Sequence, residues 1–125
     1  MSYKYIMILW FGLSGSAMGH QFTPTYPKLE QSYVTGVLKA TMYLFNSRQD
    51  VKYYEFSVYD ANFKPVQFAT TEKIVAIPYL GKKTIEIFIR NQDKNRVVYI
   101  CSKSKMLKGR SAATVVSSRI CSKIK

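Results

Sequence analysis

Residues 96–123, RVVYICSKSKMLKGRSAATVVSSRICSK, decide how this chain is read. Two short apolar runs, 97–101 and 114–121, flank a basic segment that contains Gly109 and several serines. Each run ends on one of the chain's only two cysteines. Two such runs around a polar, glycine-containing segment read as a β-hairpin. If the strands pair antiparallel, Val116, Ser118, Ile120 and Ile124 share the core face, and Val98 and Ile100 join them from the preceding strand. Cys101 and Cys121 then both point outward, with Arg119 and Lys123, as a cross-strand disulfide requires. Closing a loop of about 20 residues stabilises a fold by roughly 3 kcal/mol in the chain-entropy model. The other reading is two free thiols. Two lone cysteines lack the ligand count of a structural zinc site.

A disulfide needs an oxidising compartment, and the N-terminus points to one. Residues 1–19, MSYKYIMILWFGLSGSAMG, place one early cation, Lys4, before an apolar run and then a group of small residues. That is the pattern of a secretory signal peptide. The small pair Ala17 and Gly19 favours cleavage after Gly19, with cleavage after Ala17 as the second choice. The alternative is a buried N-terminal strand or an uncleaved anchor. The apolar run, residues 5–13, is shorter than the ~20 residues that span a bilayer. No later segment is long and apolar enough to be transmembrane. The expectation is a signal peptide over 1–19 and a single periplasmic or secreted domain over 20–125.

Inward from the hairpin, the chain keeps alternating. Leu38, Ala40, Met42 and Leu44 oppose Lys39, Thr41 and Tyr43 within the stretch 32–45. Tyr54, Phe56 and Val58 oppose Tyr53, Glu55, Ser57 and Tyr59. Ile85, Ile87 and Ile89 oppose Thr84, Glu86 and Phe88. Period-two alternation marks half-buried strands. Shorter runs at 66–69 and 73–77 read as further strands, and Asn46–Asp50 and 91–95 as polar turns. Residues 20–30, with two prolines, read as an edge strand or an extended lead-in. Ten tyrosines and seven phenylalanines favour the same class, because aromatics fit a pleated, half-buried surface. Seven to eight short strands, with turns every eight to twelve residues, predict an all-β sandwich or barrel.

The residues argue against catalysis. His20 is the only histidine, so no Ser-His-Asp set can be built without it, and no nucleophile elbow, zinc helix, phosphate loop or calcium loop occurs. The seven acidic residues are scattered. If cleavage leaves His20 as an N-terminus, its amine and imidazole invite a copper reading, but a histidine brace needs a second histidine. His20 is therefore expected to be a solvated terminal residue, and no cofactor or metal is expected.

The formal net charge of +12 would attract polyanions. Its densest part is the hairpin. Lys103, Lys105, Lys108 and Arg110 are read into the loop, and Arg119, Lys123 and Lys125 into the last strand. This is either a polyanion footprint or a solvated basic loop. No aromatic nucleic-acid motif accompanies it, so nucleic acid is not the favoured partner.

With the strands placed, three stretches together resemble the N-terminal, immunoglobulin-like domain of PapD-type periplasmic pilus chaperones. They are GVLKATMYLFNSRQDVKYYEFSVYDANFKPV, GKKTIEIFIR, and VVYICS followed by TVVSSRICSKIK. The resemblance covers residues 22–125. One branch of that family carries a disulfide between its last two strands, matching Cys101 and Cys121. The resemblance implies a non-catalytic chaperone-like or protein-binding module whose edge strand pairs with a pilin-like or surface-appendage subunit. Of the family's two basic anchors, the first is absent, since PTYPKLEQSY offers only Lys28, and the second falls near Cys121, with Lys123 two residues on. The expected contact residues are Lys103, Lys105, Lys108, Arg110, Val115, Val116, Arg119 and Lys123, on the edge strands and the 102–113 loop. The competing expectation is a structural or host-surface protein of a phage, pilus or conjugative apparatus, binding an anionic surface through the basic patch.

Overall fold

Alternation becomes strand wherever it is sustained. The computed structural model describes residues 20–105 and 118–125 and contains eight strands there. They are β1 (His20–Thr23), β2 (Glu30–Gln31), β3 (Val37–Asn46), β4 (Tyr53–Tyr59), β5 (Ile74–Ala76), β6 (Lys82–Arg90), β7 (Tyr99–Lys105) and β8 (Arg119–Lys123). No α-helix occurs among the described residues, and no helix there is long and apolar enough to cross a membrane.

The strands form two antiparallel sheets. In the first, β6 pairs with β3 from Val37–Arg90 to Phe45–Lys82 along one edge. β1 and β2 share the other edge, β1 at the C-terminal half of β3 and β2 at its N-terminal half. The second sheet has the order β5-β4-β7-β8. The predicted inward faces meet between the sheets. Ala40, Met42 and Leu44 from β3 pack with Ile85, Ile87 and Ile89 from β6, against Tyr54, Phe56, Val58 and Ile100. This is the sandwich that the hydrophobic alternation calls for.

The proline-rich lead-in does more than run along an edge. Beyond β1 the chain leaves the first sheet, and the carbonyls of Thr25 and Pro27 accept the amides of Lys123 (3.0 Å) and Lys125 (2.9 Å). It then returns to the first sheet as β2. One side of the sandwich is closed by this crossing.

Three expectations shift. β3 begins at Val37 rather than at residue 32, because residues 32–36 form a turn. There the Ser32 hydroxyl donates to the Val37 carbonyl at 2.6 Å and accepts the Val34 amide at 3.1 Å, and Gly36 takes a φ of 82°. The run at 66–69 makes only the isolated bridges Tyr59–Pro65 and Ala69–Phe88 at its ends. Val97, delivered by a 3-10 turn over Asn91–Asp93, fills the core beside Ile100, while Val98 is only half-buried. The 3-10 turn is held by Asp93, a buried carboxylate that accepts from Arg90 (2.9 Å) and Arg96 (3.1 Å).

Asn46 was legible only as a turn residue. It is fully buried and ties three segments together. Its side-chain amide donates to the carbonyls of Val51 and Ile77, both at 2.8 Å, and its oxygen accepts the Arg48 amide and the Tyr54 hydroxyl. Burial pushes the Tyr54 phenol up to about 12, so it stays a donor.

Candidate functional site

Cys101 and Cys121 are bonded and directly opposed in the β7–β8 ladder. Their Cα atoms are 4.0 Å apart. The Ser104 amide bonds the Ser118 carbonyl and the Ile124 amide bonds the Val98 carbonyl, both at 2.8 Å. By strict alternation, the cysteines therefore occupy a rung without backbone hydrogen bonds, where opposed Cα atoms come closest. Both sulfurs lie on the outer face of the second sheet, away from Ile100 and Ile120, as the strand alternation required.

The same alternation places the cations. β7 does not end at Cys101 but continues through Lys105, so Lys103 and Lys105 belong to a strand and not to the loop. The cause is the buried serine pair Ser102 and Ser104, which keeps the inward face in register past the last apolar residue. Lys103, Lys105, Arg119 and Lys123 are all exposed, and all fall on the outer face of the second sheet. The ladder residues facing them supply one carboxylate, Glu55, at 3.5 Å from Lys105. Four of the eight expected contact residues are thus brought onto one surface. Lys108, Arg110, Val115 and Val116 lie outside the described residues, as does the expected signal peptide.

Arg119 crosses the disulfide rung. Its guanidinium lies 5.6 Å from the ring of Tyr59 and 5.7 Å from that of Phe63, on the far side of Cys101. Phe63 stacks on Tyr99 at 4.4 Å and 11°. It is held at φ 59°, an uncommon conformation for a bulky residue, by the turn around Asp60. The Asp60 carboxylate accepts the amides of Lys64 (2.9 Å) and Asn62 (2.8 Å), which holds its pKa below the usual carboxylate range. The cation–aromatic roof that this turn positions over the bridge had no pattern in the sequence.

Alternation also exposes an edge. In β8 the backbone groups of Ile120 and Ser122 face β7, so those of Arg119 and Cys121 face away from it. Lys123 and Lys125 spend their outward amides on residues 25 and 27. Arg119 and Cys121 take no backbone partner among the described residues. On the opposite face of β8, Ser122 is buried, and its hydroxyl has no hydrogen-bond partner among the described residues.

His20 corrects an expectation. It is buried, not a solvated terminus. As the first residue of β1 it shares a face with Phe22, and its ring lies 4.7 Å from that of Tyr54. Nε2 sits 2.7 Å from the Ser102 hydroxyl and Nδ1 3.2 Å from the Ser118 hydroxyl. Burial, opposed by the Ser102 bond and assisted by the charge of Arg48, lowers its pKa to about 4. The ring is a neutral clasp between β1 and the β7–β8 hairpin. The alternation HQFT, with Phe22 inward, was the available signal. No cluster of three or more histidine, cysteine or acidic residues able to hold a metal ion occurs among the described residues.

No protein-family model matches the chain, and no curated protein matches it. Solved structures do. The crystal structure of the E. coli chaperone DraB superposes with a TM-score of 0.62 at 14% identity, covering 84% of this chain and 52% of DraB. A PapD-like domain of human CEP192 (domain 7) superposes with a TM-score of 0.44 at 8% identity, over 86% of this chain and 85% of that one. The chain therefore shares its fold with DraB, an immunoglobulin-like sandwich, here with one disulfide. The chain spans about half the length of DraB.

Proposed function

We propose that this protein is a secreted, non-catalytic, chaperone-like module that binds an extended segment of a partner protein along the free edge of β8. The observation that carries this reading is the pair Arg119 and Cys121, whose outward backbone groups have no partner among the described residues, beside a rung that the disulfide locks. Main-chain pairing needs such an edge, held at fixed register. The disulfide fits an oxidising compartment, which supports the periplasm or the exterior. A pilin-like or surface-appendage subunit is the partner class, since the fold is shared with a chaperone.

The test separates backbone from side chain. Proline at position 119 removes an amide that faces away from β7, so it leaves the β7–β8 ladder intact while blocking an added strand. A partner captured in the native host by a photo-crosslinker at position 103 should be lost with Arg119→Pro and retained with Arg119→Ala. Equal retention by both variants would overturn the edge reading.

A second reading has its own observation, the four cations against one carboxylate on the outer face of the second sheet. There the protein would hold an anionic surface, and Arg119→Ala and Arg119→Pro would weaken binding alike.

A further inference from the structure

The first sheet also has an outer face, and nothing in the reading above uses it. Its central strand, β3, turns Tyr43 and Phe45 outward in succession. The ladder sets Thr23 and Thr84 on either side of Tyr43, and Gln21 and Lys82 on either side of Phe45. These six residues, with Leu44 and Lys83, line a hollow of about 470 Å3. It is thus a two-rung site with an aromatic spine and polar rails.

Two features mark this as more than a solvated sheet face. Tyr43 leaves 52% of its surface exposed in the middle of the best-paired strand, so the core does not account for it. Lys82 is exposed and has no carboxylate within ion-pair distance among the described residues, whereas its neighbour Lys83 is paired with Glu72 at 3.0 Å. None of the eight lining residues is acidic.

The chemistry narrows the occupant. A peptide cannot add as a strand here, because β3 is already paired on both edges, by β1 and by β6. An alkyl chain would strand Gln21, Lys82 and both threonines without partners. The glutamine amide and the threonine hydroxyls both donate and accept, which matches ligand hydroxyl groups. Aromatic faces spaced about 7 Å apart along a strand can pack against the C–H faces of successive sugar rings. The unpaired cation on a chain of net charge +12 adds a requirement for negative charge. We propose that the outer face of β1, β3 and β6 is a binding site for an acidic oligosaccharide, with Tyr43 and Phe45 as the stacking floor, Gln21, Thr23 and Thr84 as hydroxyl partners, and Lys82 as the carboxylate partner.

The site lies on the opposite sheet from the β8 edge, so either proposal can fail without the other. The probe is a short oligogalacturonate titrated into the full chain as the host produces it. The readouts are calorimetry and backbone amide shifts. Saturable binding is expected, with shifts centred on residues 21–23, 43–45 and 82–84. A neutral galactose oligomer of the same length should bind about tenfold more weakly. Tyr43→Ala should weaken the acidic sugar by about tenfold, and Lys82→Gln should abolish the preference for acidic over neutral sugar. Both side chains are exposed, and thermal unfolding checks that the variants fold. If Tyr43→Ala is unfolded, Lys82→Gln decides alone. Shifts centred on Lys103 and Arg119 instead, equal binding of polyglutamate at the hollow, or no saturable binding would each overturn the proposal.

Discussion

At the scale of single residues, His20 is the most consequential side chain. A ring whose pKa in the folded chain lies below its unfolded value favours the fold only while neutral. For His20 that contribution is complete above about 6.5 and is lost as the pH falls towards 4. No acidic group pairs with the ring, and the charged neighbour that acts on it, Arg48, carries the same sign as the protonated form. Arg48 is held in place by Asp50, at 2.6 Å. The difference between the two pKa values sets a loss of at most about 3 kcal/mol. Unfolding midpoints in denaturant, measured between pH 7 and 4, should fall steeply for the native chain. They should fall less for His20→Gln, which keeps an amide for Ser102 and Ser118 but does not titrate. Parallel profiles would show that the clasp does not govern acid stability.

At the scale of elements, the hairpin of β7 and β8 carries the largest single constraint. Replacing both cysteines by serine should lower stability by about 3 kcal/mol, read from the denaturation midpoint and slope together, because freeing the unfolded chain also raises the slope. A loss near zero would mean that the ladder holds its register unaided. What could be read in advance follows from this element too. Strand faces were legible because period-two alternation is a local signal, and it placed both sulfurs on the outer face. The end of β7 was not, because Ser102 and Ser104 are buried only through long-range contacts, among them the bond from Ser102 to His20, 82 residues away. Polar residues on a core face break the hydrophobic pattern that marks a strand. The closing role of residues 25–27 was hidden for the same reason, since prolines say where a ladder stops but not which other edge the carbonyls reach. The basic face was half legible. Its residues were named from charge density, but their shared surface depends on the register of three strands.

At the scale of the whole molecule, charge is distributed unevenly. The acidic residues are mostly spent on local partners, as in Lys39–Glu86, Arg48–Asp50, Lys83–Glu72 and the two arginines at Asp93. The outer face of the second sheet keeps its cations largely uncompensated. If that face holds an anionic surface, binding to vesicles rich in anionic lipid, or to lipopolysaccharide, should fall steeply between low and physiological salt, since the Debye length shrinks from roughly 30 Å at 0.01 M to about 8 Å. Salt-independent binding would count against the basic-face reading and leave the β8 edge as the contact surface.

The crossing of residues 25–27 onto β8 bears on the order in which the chain can complete itself. The first strand finds its clasp at Ser118, 98 residues later, and the lead-in finds its amide donors only at Lys123 and Lys125. A chain that emerges N-terminus first, whether from a ribosome or through a translocation channel, can assemble β3, β4 and β6 while its opening segment still lacks these partners. Closure of the sandwich waits for residues 118–125, because contacts this distant in sequence form last. Removing residues 118–125 should therefore leave a chain with most of its strands and an unsealed side, a species open to capture by other chains.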